Sequence, residues 1–264
     1  MNGTPRLSAL VVARNEEAQL AECLVPLAFA DEIVVVLDRT TDGSAAIARA
    51  HGARLVEGGW ELEGPRRNAG IAACGGDWIL EVDADERVSD ELAREVRATI
   101  ADAPYGYFLV PFDNYVGDRL VRYGWGASWG VSAAIRLFAK DADKGPAKIM
   151  GTERVHTRLT LKGRQGRLTS RMIHYVDRDI SDMLARLDRY TTARAQDLRD
   201  SGDIGTLGRN VRRMFTRFWA CYVRRKGYRE GAWGVLIALM AALYPILSHL
   251  KARLEPGRTP GGGA

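Results

Sequence analysis

Cysteine is scarce in this chain and is not arranged for a disulfide framework or a metal. The 264 residues contain three cysteines, Cys23, Cys74 and Cys221, which share no close spacing. An odd number of distant cysteines excludes a disulfide-stapled scaffold and a zinc ribbon, so we expect reduced thiols in a cytoplasmic protein. No internal repeat is visible, and residues 1–6 lead directly into an apolar run. We therefore expect no signal peptide, and one large domain or a domain with an appendage.

Acidic residues are nearly missing from residues 206–230, where Glu230 is the one acid. Eight basic side chains stand against it: Arg209, Arg212, Arg213, Arg217, Arg224, Arg225, Lys226 and Arg229. Apolar and aromatic side chains recur there at helical spacing, at Val211, Phe215, Phe218 and Tyr222. This pattern predicts a helix with one aromatic face and a basic flank, as in helices that lie on anionic membranes. A solvated cationic face on a core helix is the alternative.

Charged residues are missing altogether from residues 232–250. As a helix this stretch would span roughly 28 Å, which is close to the thickness of a bilayer core. Pro245 interrupts the run and basic residues flank both ends, so we expect an embedded hairpin or an interfacial helix rather than a transmembrane one. A helix buried against the rest of the chain or against a second subunit is the alternative. We expect residues 256–264 to form a flexible tail.

The first part of the chain alternates apolar runs with helical patterns. Residues 7–13, 32–37 and 78–82 are apolar and rich in β-branched side chains, which predicts strands buried on both faces. A polar cluster follows each strand, at residues 14–16, 38–42 and 83–86, and Asn15 is the predicted cap of a helix reaching about residue 28. This alternation predicts an α/β fold with a parallel sheet, whose polar clusters converge at one edge. The alternative is that each cluster merely caps its helix.

Asp83 and Asp85 follow the third of these strands directly. Open α/β sheets bind ligands at the carboxyl ends of their strands, and two hard oxygen ligands there suit Mg²⁺ or Mn²⁺ bridging to a diphosphate. The competing interpretation is that Asp85 and Glu86 cap the next helix, which is predicted to begin near Ser89.

Together these motifs resemble a known family. Residues 7 to about 100 resemble the GT-A glycosyltransferases of family 2 in four segments: residues 13–16, Asp38 with residues 41–43, Arg67 with Asn68, and the Asp-Ala-Asp-Glu of residues 83–86. The whole chain resembles bacterial lipopolysaccharide-core β-glucosyltransferases in residues 136–138, 155–156 and 174–175 and in its basic, then apolar, tail. The resemblance implies a GT-A domain over residues 1–178, Rossmann-like with a mainly parallel sheet flanked by helices. A helical, membrane-associating region over residues 179–255 would follow.

The resemblance also implies roles for individual residues. Those expected to bind the nucleotide-sugar are Ala13, Arg14, Asn15, Glu16, Asp38, Asp42, Arg67, Asn68, Asp83 and Arg136. Asp85, with Asp83, would hold the Mg²⁺ or Mn²⁺ ion, and Arg66, Arg67 or Arg136 would clamp the phosphates. Ser often stands in the family at the positions of Arg39 and Thr40, which leaves the nucleobase open.

Transfer with inversion needs a base that takes the proton of the acceptor hydroxyl. The candidates are Glu153, which we favour, and His156 and Asp113, while His174 is expected to be structural. The glycine-flanked tryptophans of residues 122–130 are expected either to stack on a sugar ring or to pack beneath the loop.

The resemblance thus implies an inverting, metal-dependent hexosyltransferase. It would move glucose from a UDP-sugar onto a lipid-linked glycan or lipopolysaccharide-core acceptor, as a peripheral or monotopic protein on the cytoplasmic face of the inner membrane. The alternatives are a polyprenyl-phosphate glycosyltransferase and a non-catalytic protein that binds lipid or nucleic acid, although we expect no nucleic-acid partner because the uncharged run fits lipid better. A nucleotidyltransferase would need a glycine-rich loop after the first strand, where the chain has Arg-Asn-Glu-Glu.

Overall fold

The computed structural model describes residues 4–103, 106–127, 129–141, 147–152 and 158–255. Two compact units share the chain. The first comprises Met1–Phe112 and Ala133–His174, and the second comprises Asp113–Ser132 and Tyr175–Ala264. The second unit therefore includes residues 113–132, which lie within the GT-A domain predicted for residues 1–178 and contain the end of β6 and all of β7.

The strands and helices are as follows. The strands are β1 (Leu7–Ala13), β2 (Glu32–Asp38), β3 (Arg54–Gly58), β4 (Trp78–Asp83), β5 (Glu86–Arg87), β6 (Gly106–Val116), β7 (Arg119–Val121), β8 (Ala133–Ala139), β9 (Lys148–Met150), β10 (Leu159–Leu161), β11 (Arg164–Arg167) and β12 (Met172–Asp177). The α-helices are α1 (Leu20–Leu24), α2 (Ser44–Ala50), α3 (Glu63–Ala73), α4 (Asp90–Asp102), α5 (Ile180–Asp200), α6 (Leu207–Trp219) and α7 (Ala232–Leu254).

The main sheet has the strand order β3-β2-β1-β4-β8-β6-β12-β5, and β7 and β11 pair with β6. The strands β3, β2, β1 and β4 are parallel, whereas β8 is antiparallel to both β4 and β6. Every residue of β1 is buried, as expected for a β-branched strand with neighbours on both sides. The predicted α/β fold is confirmed, with the parallel pairing concentrated in these four strands.

The register of the parallel strands fixes where the polar clusters lie. Val12 near the end of β1 is opposite Asp83 at the end of β4, and Ala13 is opposite Leu37 of β2. The carboxyl ends of β1, β2 and β4 therefore share one edge of the sheet, as the sequence predicts.

Helices α1 to α4 add their apolar sides to the core of the first unit. Helix α3 approaches the sheet closely at Gly70, where an added Cβ would lie 2.6 Å from Leu10 Cδ1 and 2.7 Å from Val36 Cγ2. Helix α4 begins as predicted, because the Ser89 hydroxyl accepts a hydrogen bond from the Leu92 N–H at 3.2 Å. The N-cap of α4 is therefore Ser89 and not Asp85 or Glu86, and Glu86 lies in β5.

The segment after β1 differs from its prediction. Helix α1 begins only at Leu20 and gives way to a 3₁₀ helix over Val25–Phe29, and Asn15 does not cap it. Asn15 instead has a φ of 56°, and its side-chain oxygen accepts a hydrogen bond from the Thr41 N–H at 2.8 Å. A residue in the left-handed region that is bonded to a neighbouring loop is not available as an N-cap.

In the second unit, α5, α6 and α7 pack together, and a π-helical turn over Ala220–Arg224 follows α6. Of the embedded hairpin and the interfacial helix predicted for residues 232–250, the hairpin is wrong, because α7 is one helix that continues through Pro245. Helix α7 is long and apolar enough to cross a membrane, with a mean hydropathy of 1.7. In the structure, however, 56% of its most apolar stretch is buried, as in a core helix.

Candidate active site

Reciprocal hydrogen bonds join the loops that follow β1 and β2. The Glu17 N–H donates to Asp42 Oδ2 at 3.0 Å, and the Gly43 N–H donates back to Glu17 Oε2 at 2.6 Å. The Glu16 N–H donates to the Ser44 hydroxyl at 2.9 Å. Together with the Asn15–Thr41 bond, these contacts hold the two loops against each other at the edge of the sheet. The side chains of Asn15 and Asp42, which were expected to bind nucleotide, are thus engaged in holding the two loops together.

Asp38 ends β2 as a buried carboxylate with several donors around it. Its Oδ1 accepts from the Trp60 N–H at 3.0 Å and from Arg39 Nε at 3.1 Å, and its Oδ2 accepts from Arg66 at 3.3 Å. Burial by itself would raise the pKa of Asp38, but these donors and the two arginine charges outweigh it and lower the pKa. Asp38 is therefore a fixed anion at the edge where the sequence analysis placed the nucleoside.

Glu81 is a fully buried carboxylate in the middle of β4, and the sequence analysis did not single it out. It makes ion pairs with Arg67 of α3 and Lys148 of β9, and Arg136 of β8 lies 3.8 Å away. Burial opposes its ionisation, yet Lys148, Arg67 and Arg136 together lower the pKa of Glu81 to about 2. The sequence does contain one signal for this network, because an acid inside an otherwise apolar strand needs a cationic partner.

Asp83 lies between the same two arginines. Arg67 is 2.9 Å from Asp83 Oδ1, and Arg136 donates to Asp83 Oδ2. Burial alone would raise the pKa of Asp83, but the two guanidinium groups hold it well below its usual range. Arg67 and Arg136 are thus brought to the expected edge, where they neutralise carboxylates of the protein itself.

Asp85, Glu86 and His174 form a cluster whose ligand atoms all lie within 4.8 Å of one another. The pairing of β12 with β5 places His174 directly opposite Glu86, and His174 Nε2 lies 3.6 Å from Asp85 Oδ2. Asp85 is the most open of the three, with its side chain 36% exposed. His174, expected to be structural, therefore belongs to the best candidate for a metal site among the described residues, whereas Asp83 is turned toward the arginines.

The protonation of this cluster follows from its burial. Burial raises the pKa of Glu86 to about 7, although Arg136 donates to it and opposes the shift. Burial disfavours the charged form of His174, but Asp85 and Glu86 outweigh that effect and raise the pKa of the imidazole. The donor set fits Mn²⁺ or Mg²⁺, because carboxylate oxygens are their usual ligands and a binding cation would displace these protons.

Asn68 is engaged away from this cluster. Its amide nitrogen donates to the Met150 carbonyl at 2.9 Å, and its amide oxygen accepts from the Met150 N–H at 3.0 Å. Both bonds fasten β9 to α3, where a Cβ on Gly64 would lie 1.6 Å from the Gly151 carbonyl oxygen. Asn68, which was expected near the base or the diphosphate, uses its whole amide in this clamp.

The remaining predicted residues are scattered. Ala13 is buried at the end of β1, and Arg14 is exposed beside it. Asp113 lies within β6, in the second unit, 3.4 Å from Arg122. Glu153 and His156 lie outside the described residues.

Trp125 and Trp129 lie in the apolar cluster of the second unit and are 2% and 0% exposed. The Arg186 guanidinium stacks over the Trp129 ring at 4.1 Å. Of the two interpretations offered for these tryptophans, packing is therefore the one that the structure supports.

Comparison with known proteins gives consistent matches. The sequence profile of glycosyl transferase family 2 matches residues 8–146. The lipopolysaccharide core biosynthesis glycosyltransferase LpsC of Rhizobium meliloti is 26% identical over 258 residues, which cover 93% of this chain and 91% of that protein. An uncharacterized glycosyltransferase of Rickettsia typhi is 23% identical over 253 residues, covering 94% and 87% of the two chains.

Solved structures match over a smaller part. The crystal structure of S. aureus TarS residues 1–349 in complex with UDP-GlcNAc is 25% identical with a TM-score of 0.38, covering 45% of this chain and 37% of that one. Glucosyl-3-phosphoglycerate synthase from Mycobacterium tuberculosis, crystallised with Mn²⁺, UDP and glucosyl-3-phosphoglycerate, is 23% identical with a TM-score of 0.36, covering 42% and 44%.

Proposed function

The chain belongs to glycosyltransferase family 2, and on that premise we propose that it transfers glucose from a UDP-sugar, with inversion and with a divalent metal ion. The acceptor would be a lipid-linked glycan or a lipopolysaccharide core. The matched LpsC protein is named for lipopolysaccharide core biosynthesis and aligns over nearly the full length of both chains, which supports this class of acceptor. The proposed location is the cytoplasmic face of the inner membrane.

The cluster of Asp85, Glu86 and His174 is the observation that carries the proposal. It lies directly after the parallel strand β4, at the edge of the sheet where α/β proteins bind nucleotides. Asp85 and His174 would hold the cation, with Glu86 as a third ligand once it is deprotonated. When bound, the ion would neutralise the charge that grows on a departing diphosphate.

The chain's own residues would bind and orient the donor. Asp38 is a fixed acceptor at the end of β2, suited to a hydroxyl or N–H of the nucleoside. Arg66 Nε and Thr40 Oγ1 are buried near it and have no hydrogen-bond partner in the described part of the chain. Buried polar groups without partners are costly in a folded protein, so a ligand that satisfies them would bind favourably. We assign Arg66 to the diphosphate and Thr40 to the nucleoside.

Arg67 and Arg136 would act differently from the phosphate clamp first expected. Each is held by carboxylates of β4 or β5, so their role would be to keep Asp83 ionised and to fix the backbone that carries Asp85. Glu153 remains the proposed base that takes the acceptor proton, with His156 and Asp113 as the other candidates.

Calorimetric titration of UDP, GDP and CDP, each with and without Mn²⁺, tests the donor site. We expect wild-type protein to bind UDP only with the metal, and Asp85→Ala to lose that binding. Asp102→Ala is a matched control, because it removes one exposed carboxylate at the end of α4. Failure of the wild type to bind any of the three diphosphates would overturn the proposal. Metal-dependent binding of GDP or CDP instead of UDP would replace the proposed donor.

A further inference from the structure

Helix α6 presents two large aromatic side chains to solvent. Phe215 is 65% exposed and Trp219 is 60% exposed, and one helical turn separates them. Leu207, two turns before Phe215, is 48% exposed. Residues four apart lie on one side of a helix, so Phe215 and Trp219 form an outward apolar stripe, and Leu207 adds an exposed aliphatic side chain at the start of the same helix. Side chains of this size are seldom left in water without a partner surface.

This stripe shares Phe215 with the face that the sequence pattern indicated, whereas the rest of that face is used differently. Phe218 and Tyr222 pack against the apolar cluster of the second unit, with their ring centroids 5.6 Å apart. Phe215 lies one turn before Phe218 and Trp219 directly follows it, so both border the packed face while remaining exposed themselves. The apolar surface of α6 therefore extends beyond the packed face, and Phe215 and Trp219 form its exposed part.

Arginines border the outward stripe. Arg209, Arg212 and Arg213 are all exposed, and α6 contains no acidic residue. Arg217 differs from them, since it donates to the Ala127 carbonyl at 2.5 Å. A surface with three exposed arginines around an apolar stripe fits a partner that is anionic at its surface and apolar beneath.

We infer that α6 lies in the plane of an anionic membrane surface. Phe215 and Trp219 would enter the interface, and Arg209, Arg212 and Arg213 would contact lipid phosphates. The inference deepens the proposed membrane location and rests on it, while replacing α7 by α6 as the inserting element. Helix α7 is mostly buried among its neighbours and offers less surface to lipid.

The charges and the exposed Leu207 favour lipid over two other occupants. A second copy docked face to face by two-fold symmetry would place arginines against arginines. A single-stranded nucleic acid would supply phosphates and would stack on aromatics, but it would leave the aliphatic Leu207 without a role.

Flotation with phosphatidylcholine vesicles, with and without phosphatidylglycerol, tests the inference. We expect wild-type protein to float with the anionic vesicles only. Phe215→Ser with Trp219→Ser should weaken binding about ten-fold or more, because two partly buried aromatic rings are lost from the interface. Arg212→Gln with Arg213→Gln should weaken it roughly five-fold per arginine and remove most of its salt dependence.

Matched controls change similar residues elsewhere. Val25→Ser alters a side chain that is 62% exposed, and Arg164→Gln alters an exposed arginine of β11. Both should float like the wild type. Quenching of tryptophan fluorescence by brominated lipid should fall in Trp219→Phe, which locates that ring in the bilayer.

Several results would overturn the inference. They are no flotation of the wild type, equal flotation of the Phe215/Trp219 variant, or a wild-type dimer that this variant abolishes. Binding to single-stranded RNA in preference to anionic vesicles would also do so. The double aromatic variant should still bind UDP with metal, so a failed nucleotide titration and a failed flotation are separate outcomes.

Discussion

The carboxylate of Glu81 is fully shielded from solvent and lies within 4 Å of three cationic side chains. Arg67, Lys148 and Arg136 come from α3, β9 and β8, so one side chain of β4 ties together three other elements. Two more carboxylates, Asp83 and Glu86, share Arg136. Networks of this kind are sensitive because removal of one member leaves others charged and unpaired in a low-dielectric interior.

Arg136→Met should therefore destabilise the protein by about 3–5 kcal/mol, since the carboxylates around it would lose their shared cation. Urea unfolding followed by circular dichroism measures the change. Arg94→Met is the matched control, because the Arg94–Glu91 pair is 73% and 69% exposed and should contribute less than about 1 kcal/mol. Equal effects of the two substitutions would show that Arg136 does not hold the network.

Glu32 gives a pH-dependent prediction away from the candidate metal site. Burial would raise its pKa, but hydrogen bonds from the Ser8 hydroxyl and the Gly75 N–H help to lower it overall. Because the folded pKa lies below the unfolded value of about 4.3, the stabilisation is complete above that pH and is lost as the pH falls through the folded pKa.

Wild-type protein should accordingly be more stable than Glu32→Gln near neutral pH, and the difference should shrink as the pH falls from about 6 to about 3. Urea midpoints measured at a series of pH values provide the test. Ser8→Ala, which removes a donor to the carboxylate, should show a smaller acid-dependent loss than the wild type. A constant gap between wild type and Glu32→Gln across this range would contradict the assignment.

At the scale of elements, the pattern of apolar and polar residues predicted those strands and helices whose formation depends on neighbouring residues in the sequence. The parallel strands β1, β2 and β4 were predictable because a doubly buried strand is continuously apolar. The conformation of the segment after β1 was not predictable in this way, because Asn15 accepts a hydrogen bond from the Thr41 N–H, which belongs to another loop. In the same way, Glu81 was visible as an acid in an apolar strand, but its partners come from α3, β8 and β9, distant in sequence.

Helix α3 packs on the sheet through a position that only glycine fills. Gly70→Ala should destabilise the protein by about 1–3 kcal/mol, because a Cβ there would overlap with the side chains of Leu10 and Val36. Gly208→Ala in α6 is the matched substitution at an open helical position, where an added Cβ meets nothing within 4 Å. It should stabilise the helix by about 0.5–1 kcal/mol. Thermal unfolding of both variants checks the sign, and a stabilising Gly70→Ala would refute the close packing.

At the scale of the whole molecule, composition alone left the surroundings of α7 open. An uncharged run with a proline allowed an embedded hairpin, an interfacial helix or a helix buried against the rest of the chain, and the structure has a single helix whose most apolar stretch is 56% buried. Helices α5 and α6, which pack against it, are themselves amphipathic, and their apolar faces cannot be matched to α7 from sequence alone.

A protein held to the membrane by α6 should behave as a peripheral one. We expect alkaline carbonate or high salt to release it from isolated membranes without detergent, because a helix that lies in the interface is held by charges and a shallow apolar contact rather than by a span. Immunoblotting of pellet and supernatant, with an integral membrane protein as the retained marker, measures this. Retention in the carbonate-washed pellet would favour a transmembrane α7.

The clamp between Asn68 and Met150 has a consequence for variants of the proposed bases. Met150 pairs with Leu159 across β9 and β10, and the Gly151 N–H donates to the Arg158 carbonyl at 2.8 Å. Gly151 and Arg158, which flank the undescribed residues 153–157, are thus joined by backbone groups that do not depend on which side chains the chain carries. Substitution of Glu153 or His156 removes no donor or acceptor from these contacts, so variants at the two proposed bases can separate a loss of chemistry from the loss of this frame.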